Sequence, residues 1–367
     1  MVDPENPGGG EIESRAFEHP GEEQLTTERF EFHGNGSDYF RIWIVNMLFT
    51  ILTLGIYSAW AKVRSKRYFY GNTELAGDHF DYLASPIAIL KGRLIAVAAL
   101  LAYSFSGYIS LAAGWIALAL LLLLIPLAVV QSRRFNSSNS AWRGVRFGFD
   151  GGHMQAYPPH LFWPALGVAT LGLAMPFAWF KSNQFQFNHY RFGTTRSAST
   201  ATTRGFYVIG VSLVIALVAV IALYLLYLFA TAMLTRMIGF ESSQAAANLE
   251  AALVIFPSLL FAYATLWAFY QAMFYKLVFN NIEIGGNRLR NSIYSLNYVL
   301  LILSNIFLII VTLGFFYPWA AVRRARYLLS NISLEARDLD SFAAGEFDHA
   351  SAQGEEFGEA FDLGLGL

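Results

Sequence analysis

Tyr39, Asn46, Thr53, Trp60 and Arg67 follow one another at intervals of seven residues, and Tyr298, Asn305, Thr312, Trp319 and Arg326 repeat that series far downstream. Sevenfold spacing keeps side chains in register on one helix face. A phenol, an amide and a hydroxyl on one face of an apolar helix can do two kinds of chemistry. They can join helices, at about 0.6 kcal/mol per hydrogen bond, or they can floor a ligand site between duplicated membrane units. An asparagine in hydrocarbon needs a partner. The pattern therefore predicts that Asn46 and Asn305 face each other or the bundle interior. The candidate ligand-binding set is Tyr39, Asn46, Thr53, Tyr298, Asn305 and Thr312. A second set, Arg64, Arg67, Arg323 and Arg326 with Trp60 and Trp319, suits lipid headgroups. Each juxtamembrane base attracts an anionic headgroup by about 1 kcal/mol, and indole rings favour the membrane interface.

Other chemistry finds little support. The chain has no cysteine, which removes disulfides, thiolate metal sites and cysteine nucleophiles. Asp150, His153, His160 and His189 cluster in sequence, but Pro158 and Pro159 interrupt them and their spacing matches no metal-ligand pattern. No nucleophile elbow, phosphate-binding glycine loop or dinucleotide fingerprint is present. The chain is expected to be no enzyme, to carry no metal or cofactor, and to have the lipid bilayer rather than nucleic acid as its partner. No carboxylate lies deep in an apolar run, which argues against ion-coupled transport.

The elements that must position these residues repeat. Residues 53–69 read TLGIYSAWAKVRSKRYF and residues 312–328 read TLGFFYPWAAVRRARYL, identical at nine of seventeen positions; 170–186, TLGLAMPFAWFKSNQFQ, is a weaker third copy. Hydrophobic residues make up 55% of the chain and charged residues 14%, with a mean hydropathy of +0.42. Soluble domains carry about 25% charged residues, so this composition marks a membrane protein. Plain apolar pairs at about 86–130 and 206–276 alternate with TLG units at about 30–82, 141–196 and 280–334. Short β-leaning stretches, such as Asn72–Leu75, Ala141–Phe149, Asn281–Ile284 and Asn331–Leu334, suggest a small sheet at the membrane surface. The expected fold is an all-α polytopic membrane protein with three internal TLG repeats and a small cytoplasmic β-rich element.

Residues 1–28 and 335–367 carry eight and nine acids against one arginine each, leaving 23 bases and nine acids between 29 and 334. Both ends are expected to be disordered acidic tails. The phenylalanines at 342, 347, 357 and 361 offer an alternative reading as a docking segment, and with it a scaffold that recruits partners through its tails and strands. Two topologies fit the bases. Seven crossings split them 15 to 10. If each TLG segment re-enters on one face, the split is 24 to 1, with Arg236 alone opposite. Lys and Arg accumulate on the cytoplasmic side, which favours four crossings with most loops and both tails cytoplasmic.

The stretches FEFHGNGSDYF, TLGIYSAWAKVRSKRYFYGNTEL and AWRGVRFGFDGG, with the repeated TLG–Trp–Arg pattern, resemble the YjgN-like family of bacterial inner-membrane proteins over about 29–334. That resemblance implies a multi-pass inner-membrane protein. It brings no catalytic residues, because the family has no characterised activity.

Overall fold

The computed structural model describes residues 25–238 and 256–347. Ten antiparallel strands form a closed barrel, and a pair of helices is inserted at one end between every second pair of neighbours. The element order strand–helix–helix–strand recurs five times. The units are β1 (Thr26–Phe32), α1 (Gly36–Leu52), α2 (Ser58–Gly71), β2 (Thr73–Leu75); β3 (Asp78–Tyr82), α3 (Pro86–Ile109), α4 (Leu111–Ser138), β4 (Ser140–Trp142); and β5 (Val145–Phe149), α5 (Trp163–Ala169), α6 (Met175–Phe187), β6 (Tyr190–Phe192). They continue with β7 (Thr195–Ser199), α7 (Thr203–Ile238), α8 (Phe256–Phe279), β8 (Ile282–Ile284); and β9 (Asn287–Asn291), α9 (Ser295–Val311), α10 (Tyr317–Ser330), β10 (Ile332–Ala336). A last helix, α11, covers 339–347.

The chain is therefore not all-α. The β-leaning stretches expected to form a small surface element belong to a barrel closed by Thr26↔Ala336 and Glu28↔Leu334. Closure leaves no unpaired edge, which is how strands of three to seven residues become stable. The boundaries expected at 28 and 335 fall inside paired strands, because Thr27 opposes Glu335. Residues 1–24 and 348–367, including Phe357 and Phe361, lie outside the described residues.

Away from the helices, two-residue turns join the units. Ala76–Gly77, Arg143–Gly144 and Gly285–Gly286 all have positive φ at both positions. This geometry matches the twist of the flanking strands.

The hairpins differ in length. Among the described residues, three helices, Pro86–Ile109, Leu111–Ser138 and Thr203–Leu234, are long and apolar enough to cross a membrane. Pro86 opens α3 at a position where no amide bond is lost, and Ser110 caps α4 by accepting from the Ala113 N–H at 3.1 Å. The 17 residues of α1 extend about 25 Å and the 14 of α2 about 21 Å, short of the roughly 30 Å hydrocarbon core.

Each TLG segment is the turn of a short hairpin, and the three turns share one hydrogen-bond scheme. Thr53, Thr170 and Thr312 end their helices, followed by Leu54, Leu171 and Leu313 at φ 49°, 53° and 51°. The glycine N–H then reaches back five residues, to Thr50, Gly167 and Ile309 carbonyls at 2.7–2.8 Å. This is the Schellman arrangement, with leucine where glycine is usual. A leucine in that conformation costs about 1–2 kcal/mol. The threonine hydroxyls brace the turn, each accepting from the N–H four residues on at 2.9–3.0 Å. The strained leucines stand 96%, 96% and 89% exposed at the tips, an orientation that suits contact with lipid rather than water.

Candidate functional site

The strands alternate inward and outward, and their inward residues meet in cross-strand pairs around the lumen: Phe30↔Leu75, Phe80↔Trp142, Phe147↔Phe192, Ser197↔Ile284 and Leu289↔Leu334. Above them, on the helix side, a cavity of about 560 Å³ receives side chains from all five units. Its roof includes Phe69, Asn136, Phe187, Phe279 and Leu329, near the ends of the second helix of each hairpin. Below lies a smaller void of about 160 Å³ that shares Phe30, Phe80, Phe147 and Leu289 with the first. Leu339 and Phe342 of α11 close its far side.

The hydroxyls at this mouth are turned onto backbone carbonyls. Thr73 Oγ1 donates to Phe69 O at 2.8 Å, Ser137 Oγ to Arg133 O at 2.8 Å, Ser140 Oγ to Asn136 O at 2.9 Å and Ser197 Oγ to Phe187 O at 2.5 Å. What faces the cavity is therefore mostly aromatic and aliphatic carbon, with Tyr70, Asn136, Tyr190 and Arg191 as the other polar side chains at its wall. Such a surface binds apolar groups by excluding water.

A ring of side chains holds the hairpins to the barrel. Asn72, Asn139, Asn281 and Asn331 each donate Nδ2 to the carbonyl four residues back at 2.7 Å, and His189 does so through Nδ1 at 2.6 Å in the third unit. Their own carbonyls accept from His33, Leu83, Asp150, Thr200 and Ser292 N–H groups at 2.8–2.9 Å. Five residues before three of these positions, arginines bridge to the next unit: Arg67 to Ala84 O at 3.5 Å, Arg134 to Gly151 O at 2.9 Å and Arg326 to Gly34 O at 2.8 Å. The sequence reading missed this ring. A basic residue five positions before asparagine recurs at 67/72, 134/139, 276/281 and 326/331, and that was the available signal.

The residues singled out from spacing are dispersed. Asn46 Nδ2 donates to Ala61 O at 3.5 Å and Asn305 Nδ2 to Ala320 O at 3.4 Å, so each joins the two helices of its own hairpin rather than its counterpart. Asn305→Leu is expected to cost on the order of 1 kcal/mol and Asn46→Leu less, with the double substitution equal to their sum within about 0.5 kcal/mol in a thermal or denaturant titration. Tyr39 packs against Tyr68 and Phe69, whereas Tyr298 donates its hydroxyl to Gln271 at 2.8 Å. Thr53 and Thr312 serve the hairpin turns. Of the proposed headgroup residues, Arg67 and Arg326 are the inter-unit bridges above. Arg64 reaches Tyr57 Oη at 3.1 Å, and Arg323 reaches Asn305 Oδ1 at 2.8 Å. Trp60 stacks on Tyr57, and Trp319 lies against Phe40 across the α1–α10 seam. His160 Nδ1 sits 3.1 Å from Ala156 O, its Nε2 is 3.3 Å from Ser182 Oγ, and Asp150 pairs with Arg191 and Arg196.

The far end of the barrel is built just as specifically. Leu339 and Ala343 are buried with Leu75, Trp142, Val145 and Phe192. Glu346, only 6% exposed, accepts from the Thr194 N–H at 2.5 Å, from Thr194 Oγ1 at 2.9 Å and from Thr195 Oγ1. Burial alone raises its carboxyl, but these bonds outweigh burial and hold it below the usual carboxylate range. Arg143 links Asp340 at 2.5 Å to Asp78 at 2.6 Å.

Residues 27–360 match the family described as bacterial protein of unknown function (DUF898). The inner membrane protein YjgN of Escherichia coli O157:H7 is 34% identical over 153 residues, 41% of this chain and 38% of that protein. YjgN of Escherichia coli K12 is 34% identical over 134 residues, 35% and 33% of the two chains. YjgN of Salmonella typhimurium LT2 is 34% identical over 119 residues, 32% and 30%. The matched stretches thus span between about a third and two fifths of these relatives. No solved structure matches.

Proposed function

Because this membrane protein belongs to the bacterial family of unknown function whose description matches 27–360, we propose that it is a multi-pass inner-membrane protein that holds a lipidic ligand in the barrel mouth. One observation carries the reading: a single apolar cavity of about 560 Å³ is assembled from all five units, at the end where the hairpins enter the barrel. The ligand class is read from the lining, which is largely carbon and whose serine and threonine hydroxyls are already committed to carbonyls. In this reading the two long hairpins cross the bilayer, the three TLG hairpins enter and return, and the barrel lies in the cytoplasm. The 24-to-1 partition of bases supports that orientation.

Two measurements check these points. Displacement of a fluorescent polyene fatty acid from the purified full chain tests the cavity. Ser197→Trp, which adds an indole to the cavity wall, is expected to weaken binding at least about tenfold while the thermal transition persists. Unchanged affinity would exclude the lumen. Reporter fusions after Arg196 and Arg290 are expected to read cytoplasm and one after Ser242 periplasm; a periplasmic reading at Arg196 or Arg290 would mean that a TLG unit crosses.

A further inference from the structure

The first and last TLG hairpins share their helical pattern but not their internal hydrogen bonding. In the last, Arg323 Nη1 donates to Asn305 Oδ1 at 2.8 Å, so the amide is satisfied at both ends. In the first, the equivalent Arg64 turns to the Tyr57 hydroxyl. Asn46, 4% exposed, is left with Oδ1 buried and without a donor among the described residues. A buried acceptor in a lipid-facing hairpin is costly unless something donates to it.

Asn46 is one of the residues lining a groove of about 430 Å³ between α1, α2 and Tyr317 of α10. Ser58, Lys62 and Ser65 line one side, on one face of α2. Lys62 is exposed, and no carboxylate pairs with it among the described residues. The other side is apolar, with Met47 and Ile51 exposed beside the polar floor. The position corresponding to Lys62 in the last hairpin is Ala321. Of these two hairpins, the cation and the unsatisfied acceptor therefore occur together in the first.

We propose that this groove binds one membrane phospholipid whose phosphate pairs with Lys62 and whose headgroup ammonium or hydroxyl donates to Asn46 Oδ1. The apolar wall takes the acyl chains, which commits the site to a lipid rather than to free phosphate. The site shares no lining residue with the barrel cavity, so it stands or falls independently of that reading.

Native mass spectrometry of the full chain in detergent, titrated with short-chain phospholipids, tests the site. Phosphatidylethanolamine and phosphatidylglycerol, which offer both phosphate and donor, are expected to be retained over phosphatidylcholine, which lacks the donor. Diacylglycerol, lacking phosphate, is expected to show no dependence on Lys62. Lys62→Gln and Asn46→Leu are each expected to reduce phosphatidylethanolamine retention about tenfold, the loss of one charge-assisted hydrogen bond. Asn305→Leu is expected to leave it unchanged. Lys62→Gln changes an exposed side chain, so it reads out even if Asn46→Leu fails to fold. Equal retention of phosphatidylcholine, or no effect of Lys62→Gln, overturns the proposal. Displacement by deacylated glycerophosphoethanolamine as effective as by the intact lipid also overturns it.

Discussion

Deleting residues 338–367 is expected to destabilise the protein by on the order of 2–4 kcal/mol and to expose a hydrophobic barrel end, because α11 is packed structure. The deletion uncovers Leu75, Trp142, Val145 and Phe192 and removes Asp340, one of the two carboxylates that pair with Arg143. Thermal melting together with binding of an environment-sensitive dye reads both effects. An unchanged transition would mean that α11 contributes nothing to holding the barrel. The latch also has a pH signature. Glu346 sits below the usual carboxylate range in the fold. Its contribution is therefore present above the ordinary glutamate value of about 4.3 and disappears as pH falls through its depressed folded value. Asp338, which caps α11 through the Ser341 N–H at 2.9 Å, is held down by the Ser341 hydroxyl and amide and adds loss in the same direction. Amide protection of 339–347 is expected to fall on acidification below about pH 4 in the native chain. Glu346→Gln is expected to lower protection already at neutral pH and to flatten the acid response.

Gly36→Val is expected to be the most damaging small-to-large change. A Cβ at Gly36 meets Trp319 Cδ1 at 2.1 Å, where α1 of the first hairpin packs on α10 of the last and the ring of hairpins closes. Trp319 is held by Phe40 and Phe316, so the ring cannot retreat cheaply. Overpacking of this kind costs about 1–3 kcal/mol, at times more. Trp319→Leu in the same chain is expected to recover part of the loss, giving a non-additive pair. Gly71→Ala, where a Cβ meets nothing within 4 Å, serves as control and is expected to be neutral. Full additivity of Gly36→Val and Trp319→Leu would show that the two residues do not share the seam.

The sequence by itself determined what local chemistry controls. The apolar runs at about 87–108 and 111–130 predict membrane-length helices, since hydrocarbon tolerates little else, and they form the 24-residue α3 and 28-residue α4. The TLG triplets must mark equivalent places, and threonine followed by a chain reversal at glycine suffices to build the turn. Even α11 was legible in part: Leu339, Phe342, Ala343 and Glu346 fall on one helical face behind an Asp338–Ser341 cap. The acidic composition around them hid that pattern.

Tertiary structure decided the barrel. Strands such as Thr73–Leu75 and Ile282–Ile284 have three residues, too few for alternation to stand out from chance, and each is stable only because both neighbours pair with it. The pairing that closes the ring, Thr26 against Ala336, joins the first strand to the last, and no local pattern encodes a partner so distant. The fate of the two asparagines was undecided for the same reason. Sevenfold spacing puts Asn46 and Asn305 on equivalent faces. Whether a neighbouring arginine swings onto the amide oxygen depends on how each hairpin packs in the ring, and that packing satisfies Asn305 and leaves Asn46 Oδ1 without a donor.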